Sequence, residues 1–171
     1  MDVLEAIKKR RSIRRFQDRE IEKEKIDLLI EALIWAPSAG NLQARRFFFV
    51  KNPEIKKALA EAALGQRFVA RAPLTIVACT DARIGNIYGM RGVNLYAIQD
   101  VACSIMNMML LAHSLGLGTV WVGAFDEERV SEILSLPEHL RPVAIVPVGY
   151  PERIPPPPPR VSPDEAIVWV E

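Results

Sequence analysis

The sequence predicts an α/β fold in the broad sense, or α+β, formed as a single domain around one core. Three observations support this prediction. The chain has 171 residues, enough for one core, and half of them are hydrophobic while a quarter are charged. Short apolar, β-branched runs alternate along the chain with segments of helical periodicity. One segment, 94–115, is apolar on nearly every face of a helix.

The first half of the chain is predicted to form two helices, a buried strand and a third helix. Their expected bounds are 2–11, 22–36, 47–50 and 53–65. Asp2 and Glu5 have the spacing of a capping box at the first helix, and Pro37 stops the second. Asn52 followed by Pro53 is a typical helix start, because asparagine caps and proline fits the first helical position.

The second half is predicted to add four strands and two helices. The strands are expected at 74–80, 119–123, 143–148 and 166–170, and the helices at 94–115 and after the cap residue Asp126. Three glycines predict a loop or an excursion over 81–92. The prolines at 155–159 require an extended polyproline II conformation, which opens a C-terminal tail over 155–171.

The long apolar segment 94–115 has two interpretations. A membrane span needs about 18 or more uninterrupted apolar residues, and Gln99, Asp100, Asn107 and His113 interrupt this segment. We therefore expect a core helix that is covered on all sides, in part by a second subunit.

Charge and cysteine content exclude several classes of protein. Lys plus Arg number 22 and Asp plus Glu number 21, so the net charge of +1 gives no global basic surface for nucleic acid or an anionic membrane. Cys79 and Cys103 lie in apolar runs and are expected to be reduced core residues of a cytoplasmic protein, and Met1 opens no signal peptide. His113 and His139 alone cannot form a metal site.

The first motif with chemical content lies near the N-terminus, where six of the eight residues 8–15 are cationic. On an extended segment the side chains of Arg10, Ser12 and Arg14 point to one side, so two guanidinium groups and a hydroxyl converge on one small anion such as a phosphate. Two alternatives remain open. One is a solvated helix C-terminus, where cations favour the helix dipole, and the other is a nucleic-acid patch, which lacks a second basic stretch.

Two further motifs are rich in small residues. Residues 36–43, Ala-Pro-Ser-Ala-Gly-Asn-Leu-Gln, offer small polar groups on a tight loop, although a helix stop and turn explains the same residues. Residues 116–126 place Gly123 and Ala124 at a strand end, where backbone N–H groups can approach a planar ligand closely. A strand-to-helix turn explains them equally well. A Rossmann motif is excluded because these glycines precede a strand.

Together and in this order, the motifs resemble those of the FMN-dependent nitroreductase family, in its short, single-domain branch. The resemblance covers nearly the whole chain. Its motifs are Arg-Arg-Ser-x-Arg-x-Phe at 10–16, Ala-Pro-Ser-x-x-Asn-x-Gln at 36–43, Gln-x5-Ala-Pro at 66–73, the long helix with Asp100, Gly-Leu-Gly-x-x-Trp at 116–121, and Gly-Tyr-Pro at 149–151 with a proline-rich tail carrying Arg160. The sequence departs from the family pattern after Gln43, where Ala44-Arg45-Arg46 replaces proline and an aromatic residue, and in the tail, where one basic residue stands out instead of two.

The resemblance implies a nitroreductase-like fold in one domain, 1–171, with a central mixed sheet, surrounding helices and a long buried helix. It also implies a homodimer with two FMN sites at the subunit interface. In this arrangement Arg10, Ser12 and Arg160 hold the FMN phosphate, and Arg11 lies beside them. Arg14 lies near the pyrimidine edge of the flavin, where its charge would stabilise the anionic reduced form.

The resemblance further implies how the flavin ring is held. Gln66 is expected to hydrogen-bond the ring edge. The ring is expected to be lined by Trp121, Val122, Gly123 and Ala124 of one subunit, and by Pro37, Ser38, Ala39 and Asn41 of the other.

The implied reaction is a ping-pong oxidoreduction. NAD(P)H delivers hydride to FMN and leaves, and a nitroaromatic, quinone or related small acceptor is then reduced at the same face. No catalytic protein residue and no metal are expected, because the cofactor carries the chemistry and solvent supplies protons. Three alternatives stay open: a flavin-binding or redox-sensing module without turnover, a reductive dehalogenase or flavin-fragmenting relative, and a phosphate- or RNA-binding protein that uses the basic run. Neither a nucleic-acid nor a membrane partner is expected.

Overall fold

A four-stranded sheet in the order β1-β2-β4-β3 forms the centre of the molecule. The computed structural model describes all residues, 1–171. The strands are β1 (Arg45–Val50), β2 (Leu74–Asp81), β3 (Gly118–Thr119) and β4 (Leu140–Gly149). All three strand pairings are antiparallel, which corrects the expectation of a mixed sheet. The parallel character is confined to one isolated bridge, between Ser12 and Thr119.

Eight α-helices surround the sheet. They are α1 (Val3–Lys9), α2 (Lys23–Ile34), α3 (Pro53–Ala62), α4 (Phe68–Arg71), α5 (Gly85–Arg91), α6 (Ala97–Ser114), α7 (Glu127–Ile133) and α8 (Pro163–Ala166). The predicted caps are confirmed. Asp2 accepts a hydrogen bond from the N–H of Glu5, Asn52 caps α3 with Pro53 at the first position, and Asp126 caps α7.

Both faces of the sheet are covered, because alternate residues of the central strands point to opposite sides. On one face, Ile76 of β2 and Val146 of β4 belong to a core cluster shared with α2 and α6. On the other face, Val77 and Ile145 belong to a second cluster shared with α3, α4 and α7. All eight residues of β2 are buried, as expected for a strand enclosed on both sides.

The long helix α6 packs on β2 and α2 with the face that carries Val101, Ile105 and Met108. The helical stretch 82–114 that contains it is long and apolar enough to cross a membrane by length and composition alone. Within the chain its packing is that of a core helix, although its opposite face, with Ile98 and Met106, is exposed.

Three predicted elements differ from the structure. Segment 81–92 is helical: Asp81 caps a short 3-10 turn, and α5 and a π-helical turn lead into α6. The third strand is only two residues long, because Val122 forms just an isolated bridge with Ile145. The predicted C-terminal strand 166–170 is absent within the chain, where α8 ends at Ala166 and the last residues are exposed without regular structure.

Candidate functional site

The cationic N-terminal motif is held at the edge of the sheet. The N–H of Ile13 donates to the carbonyl oxygen of Thr119 at 2.9 Å. The N–H of Glu152 donates to the carbonyl oxygen of Arg15 at 3.0 Å, and Phe16 forms a bridge with Pro151. Segment 10–16 therefore lies between β3 and the chain that follows β4.

Side chains along this segment alternate between the core and the surface. Ile13 is buried, and it fills the space beside Gly118, where an added Cβ would lie 2.6 Å from Ile13 Cγ1. Ser12 and Arg14 flank Ile13 and face away from the core. The second glycine of the Gly-Leu-Gly motif is thus required because Ile13 occupies the place of its side chain.

Three of the sequence motifs meet at Gly149. An added Cβ at Gly149 would lie 2.6 Å from Pro73 Cδ and 3.0 Å from Phe16 Cδ1. Phe16 ends the N-terminal motif, Pro73 ends the motif at 66–73, and Gly149 opens Gly-Tyr-Pro. Their contact explains in part why these residue types occur together in one chain.

Arg10 lines a cavity of about 230 Å³ together with Lys9, Arg11 and His113, against Gly118. Its Nη1 atom is inaccessible to solvent and has no hydrogen-bond partner in the protein. Burial, followed by the positive charges of Arg11 and Arg160, lowers the pKa of Arg10. A buried cation among like charges is unfavourable unless an anion binds beside it.

A second cavity of about 230 Å³ lies along the same segment and is lined by Ser12, Arg14, Arg15, Arg153 and Pro155. The contribution of Arg153 was missed by the sequence analysis, which counted one basic residue in the tail. The available signal was its position, since it follows Gly-Tyr-Pro by two residues and that motif contacts Phe16.

Two of the predicted cofactor-binding residues, Arg11 and Arg160, also have local partners. The Nη1 of Arg11 donates to the carbonyl oxygens of Lys8 and Arg10 at 2.8 and 2.9 Å, which satisfies the end of α1. Arg160 is exposed and donates to the carbonyl oxygen of Pro159 at 3.0 Å, while its charge acts on Arg10. The tail thus places the positive charge of Arg160 near Arg10.

Gln66 connects the predicted ring-binding residues. Its Nε2 donates to the carbonyl oxygens of Ala63 at 2.9 Å and Ala124 at 3.3 Å. Two residues further on, Phe68 lies beneath Arg14, whose Cζ is 6.0 Å from the ring centroid. Gln66, Ala124 and Arg14 therefore border one surface region next to the second cavity.

Segment 121–124 divides into a buried anchor and an exposed edge. The side chain of Val122 is buried, and its N–H and C=O both pair with Ile145, so it anchors its neighbours. Trp121, Gly123 and Ala124 are exposed, and the N–H groups of Gly123 and Ala124 donate to no acceptor in the protein. Two free backbone donors thus lie beside Gln66.

The loop that carries Pro37, Ser38, Ala39 and Asn41 is tied to α6. The N–H of Ala39 donates to Asp100 Oδ1 at 2.9 Å, and the N–H of Gln43 donates to Ser38 Oγ at 3.1 Å. None of the hydrogen bonds of the chain connects this loop with Arg10, Gln66 or segment 121–124.

The role of Arg45 was also not predicted from the sequence. It is buried, and its guanidinium donates to the carbonyl oxygens of Ile34, Ala36 and Pro37 at 2.8–3.1 Å. It therefore fixes the loop that follows α2. Within the Ala-Arg-Arg departure from the family pattern, this role accounts for Arg45.

A larger cavity, about 580 Å³, lies elsewhere, between residues 42–46 and 81–87. None of the predicted site residues lines it. Of its charged groups, Asp81 and Arg83 are paired with each other, and Arg46 is a single cation, whereas several cations lie together around Arg10 and Ser12.

Comparison with known proteins identifies the family. The sequence profile of the Nitroreductase family matches residues 7–67 and 63–150. The chain belongs to the nitroreductase family. A candidate NADH dehydrogenase/NAD(P)H nitroreductase from Methanothermobacter thermautotrophicus is 41% identical over 159 residues, which cover 91% of this chain and 80% of the relative. An NADH dehydrogenase from Thermus thermophilus is 32% identical over 197 aligned positions, with coverage of 99% and 96%.

Structural comparison agrees. The solved structure of an NADPH:FMN oxidoreductase from Vibrio harveyi, complexed with NAD+, matches this nitroreductase with a TM-score of 0.91 at 28% identity. The match covers 99% of this chain and 77% of that chain. The resemblance and the predicted nitroreductase fold are thus confirmed.

The cationic group of this nitroreductase fits the phosphate of FMN. Arg10 supplies a buried, unpartnered guanidinium nitrogen, and Arg153 and Arg160 bring further positive charge from the chain that follows β4. Guanidinium groups match phosphate oxygens in geometry and charge. The exposed N–H groups of Gly123 and Ala124 are suited to the polar edge of a flat ring.

Proposed function

We propose that this nitroreductase-family chain is an FMN-dependent NAD(P)H oxidoreductase that reduces nitroaromatic, quinone or related small acceptors, and that it works in the cytoplasm as a homodimer with two flavin sites. The predicted oxidoreductase class and the FMN cofactor are confirmed by the family and by relatives named FMN reductase. The acceptor, the mechanism, the residue roles, the dimer and the location are proposals.

The observation that carries the site is the buried guanidinium nitrogen of Arg10. It has no protein partner, and burial and neighbouring cations lower the pKa of Arg10. A bound phosphate relieves both penalties at once, since it accepts the hydrogen bond and neutralises the charge. We assign Arg10, Ser12, Arg153 and Arg160 to the phosphate.

The remaining residues orient the flavin and shape its charge. When bound, FMN supplies the hydride chemistry between NAD(P)H and the acceptor. Gln66 and the N–H of Gly123 fix the ring edge, and Arg14 places a positive charge where negative charge develops during reduction. The chain needs no acid–base residue of its own here, because solvent supplies protons.

The loop at 37–41 supports the proposed dimer. This loop has no hydrogen bond to the other site residues within the chain, and it is tied to α6, whose outer face is apolar and exposed. Pairing of two α6 faces would let the loop of one subunit reach the flavin site of the other.

The absorbance spectrum of the purified protein tests the proposal first, with flavin bands expected. NADH or NADPH oxidation is then measured with a quinone and with a nitroaromatic acceptor. Parallel double-reciprocal lines are expected for a ping-pong reaction, and converging lines would contradict it. Bound flavin without turnover would instead favour the redox-sensing module, and failure to bind FMN would refute the proposal.

A further inference from the structure

His113 lies near the end of α6 and lines the same cavity as Arg10 and Arg11. Its Nε2 atom is inaccessible to solvent and has no hydrogen-bond partner in the protein. Two unpartnered nitrogen atoms, one cationic and one titratable, thus belong to residues that line one space of about 230 Å³. None of the sequence motifs quoted above for the family resemblance includes this histidine.

The groups around His113 are mostly positive. Lys9, Arg10 and Arg11 at the end of α1 act against its protonation, and Glu5 on α1 favours it. The first residue, Met1, also lines the cavity and carries the terminal amine. The lining residues from β3 and from the tail, which include Thr119 and Ile154, bring no ionisable side chain. Burial and the charges of Arg10, Arg11 and Lys9 lower the pKa of His113, which favours the neutral imidazole.

We propose that His113 is a further residue of the phosphate site, and that its imidazole takes up a proton when a phosphate group binds beside Arg10. This inference rests on the proposed function, because it takes the FMN phosphate as the anion. His113 acts on the phosphate through charge, and its free Nε2 is the atom at which the proton is held or from which it is donated.

The direction of the effect follows from the charges. Without a phosphate, the field at His113 is that of three cations against one carboxylate. A bound phosphate carries about −1.5 to −2 charges at pH 7 and offsets most of that net positive charge, which raises the affinity of the imidazole for a proton. By linkage, each unit of difference between the bound and free pKa values strengthens FMN binding up to about tenfold at low pH. The gain appears as the pH falls through the pKa of the complex and is complete below that of the free protein.

Proton NMR of the imidazoles tests this directly, because the chain has only two histidines. His139 is the internal control, since it lies before β4 and does not line the cavity of His113. We expect the His113 signal to titrate at higher pH with FMN than with riboflavin, which lacks the phosphate, and the His139 signal to be the same with both ligands. Inorganic phosphate alone should shift His113 in the same direction. Identical His113 titrations with FMN and riboflavin would overturn the inference.

The variant His113→Asn gives an independent test through FMN affinity between pH 5 and 8. The phosphate itself titrates near pH 6, so the informative quantity is the ratio of wild-type to variant affinity. This ratio should rise several-fold as the pH falls, while the corresponding ratio for riboflavin stays constant. If FMN binds and the ratio is flat, the role of His113 is wrong and the proposed function stands. If FMN fails to bind at all, the proposed function fails, and the titration with inorganic phosphate still decides the role of His113.

Discussion

We expect Arg10 to destabilise the flavin-free protein and to strengthen the binding of FMN. Its Nη1 is buried without a partner, and Arg11 and Arg160 add like charge. Arg10→Ala should therefore weaken FMN binding by about 1.5–3 kcal/mol, the scale of a hydrogen bond to a charged group, or about 10- to 150-fold. The same change should leave the unfolding temperature of the flavin-free protein unchanged or higher, because it removes an unpaired cation.

Fluorescence titration with FMN and thermal unfolding of the flavin-free protein measure the two effects. Arg129→Ala is the matched control, since Arg129 is exposed on α7 and lines neither of the two cationic cavities. Unchanged FMN affinity of Arg10→Ala would refute its role at the phosphate.

Glu22 is expected to make the stability of the fold depend on pH in the acid range. The hydroxyl of Tyr150 donates to Glu22 Oε2, and this bond, with help from Arg19 and Lys25, lowers the pKa of Glu22 from 4.5 to about 2. A lowered carboxylate pKa stabilises the fold above the unfolded value and is lost as the pH falls through the folded one. Glu22→Gln should therefore flatten the loss of stability between about pH 4.5 and 2.

Urea unfolding at pH 6, 4 and 3 checks this expectation. The control is Glu24→Gln, on the same helix, whose side chain has no hydrogen bond. If both variants lose stability with acid as steeply as the wild type, Glu22 is not the responsible group.

At the residue scale the sequence predicted part of the site. The alternation of Ser12, Ile13 and Arg14 was predictable because it depends on local backbone geometry alone. The buried position of Arg45 and the place of Arg153 beside Ser12 were not, because each depends on a chain segment that approaches it only in the fold. An arginine outside a motif is usually a solvated surface residue, and nothing local distinguishes Arg45 from one.

At the element scale, the contact of Ile13 with Gly118 fixes the cationic segment to β3. Gly118→Ala would place its Cβ 2.6–2.9 Å from three atoms of Ile13, which is buried and cannot move aside freely. Overpacking of this kind costs about 1–3 kcal/mol, or about 2–12 °C in the unfolding temperature of a chain of this length. FMN affinity should fall with it, since Ser12 and Arg14 flank Ile13.

Differential scanning calorimetry compares Gly118→Ala with Gly123→Ala, where an added Cβ would meet nothing closer than 3.8 Å. The second variant should unfold within about 1–2 °C of the wild type, as a surface change within about 0.5 kcal/mol does. Equal unfolding temperatures of Gly118→Ala and the wild type would show that the segment is free to shift.

Helices and strands were predictable where a local signal defines them, as at Asp2, Asn52 and Asp126. Segment 81–92 was predicted as a loop or an excursion and its helices were missed, because its glycines were taken as turn residues. In the structure Gly92 packs against Ile84 and Tyr88, where a side chain has no room, and Gly89 at φ 55° interrupts an otherwise helical path. Tertiary packing thus overrode the local preference.

At the scale of the whole molecule, α6 has an apolar face that the rest of the chain does not cover. Ile98, Met106 and the thiol of Cys103 are exposed on the side opposite the core. We expect this face to pair with a second copy in an interface of about 2,000 Å² or more. Met106→Asp should then yield monomers in sedimentation, whereas Leu64→Asp, exposed after α3, should not.

The two free cysteines report on the same interface. Cys79 is buried, which raises its pKa to about 12, so it should resist a thiol reagent in every assembly state. Cys103 should be protected in the wild-type dimer and react in the Met106→Asp monomer. A stable wild-type monomer at micromolar concentration with a reactive Cys103 would exclude the proposed pairing.

The end of the C-terminal tail is not covered by the rest of its own chain. Trp169 is 88% exposed and Val170 92%, and Val168 is equally uncovered, so a run of apolar side chains has no cover within the chain. Between this run and the sheet lie the prolines at 155–159, which are stiff and lose little entropy when fixed. The tail can therefore present Arg160 to a phosphate and its apolar end to the partner subunit.

Two truncations separate these roles. Removal of residues after Tyr150 deletes Arg153 and Arg160 together with the apolar end, so both FMN affinity and dimer stability should fall. Removal of residues after Arg160 keeps both arginines and should weaken mainly the dimer, with a smaller loss of FMN affinity. Light scattering and flavin fluorescence measure the two quantities on each protein. If the protein that ends at Arg160 loses as much FMN affinity as the protein that ends at Tyr150, at a concentration where both are dimeric, then Arg153 and Arg160 do not hold the phosphate. If the protein that ends at Tyr150 stays dimeric and binds FMN fully, the removed segment contributes neither to phosphate binding nor to the dimer.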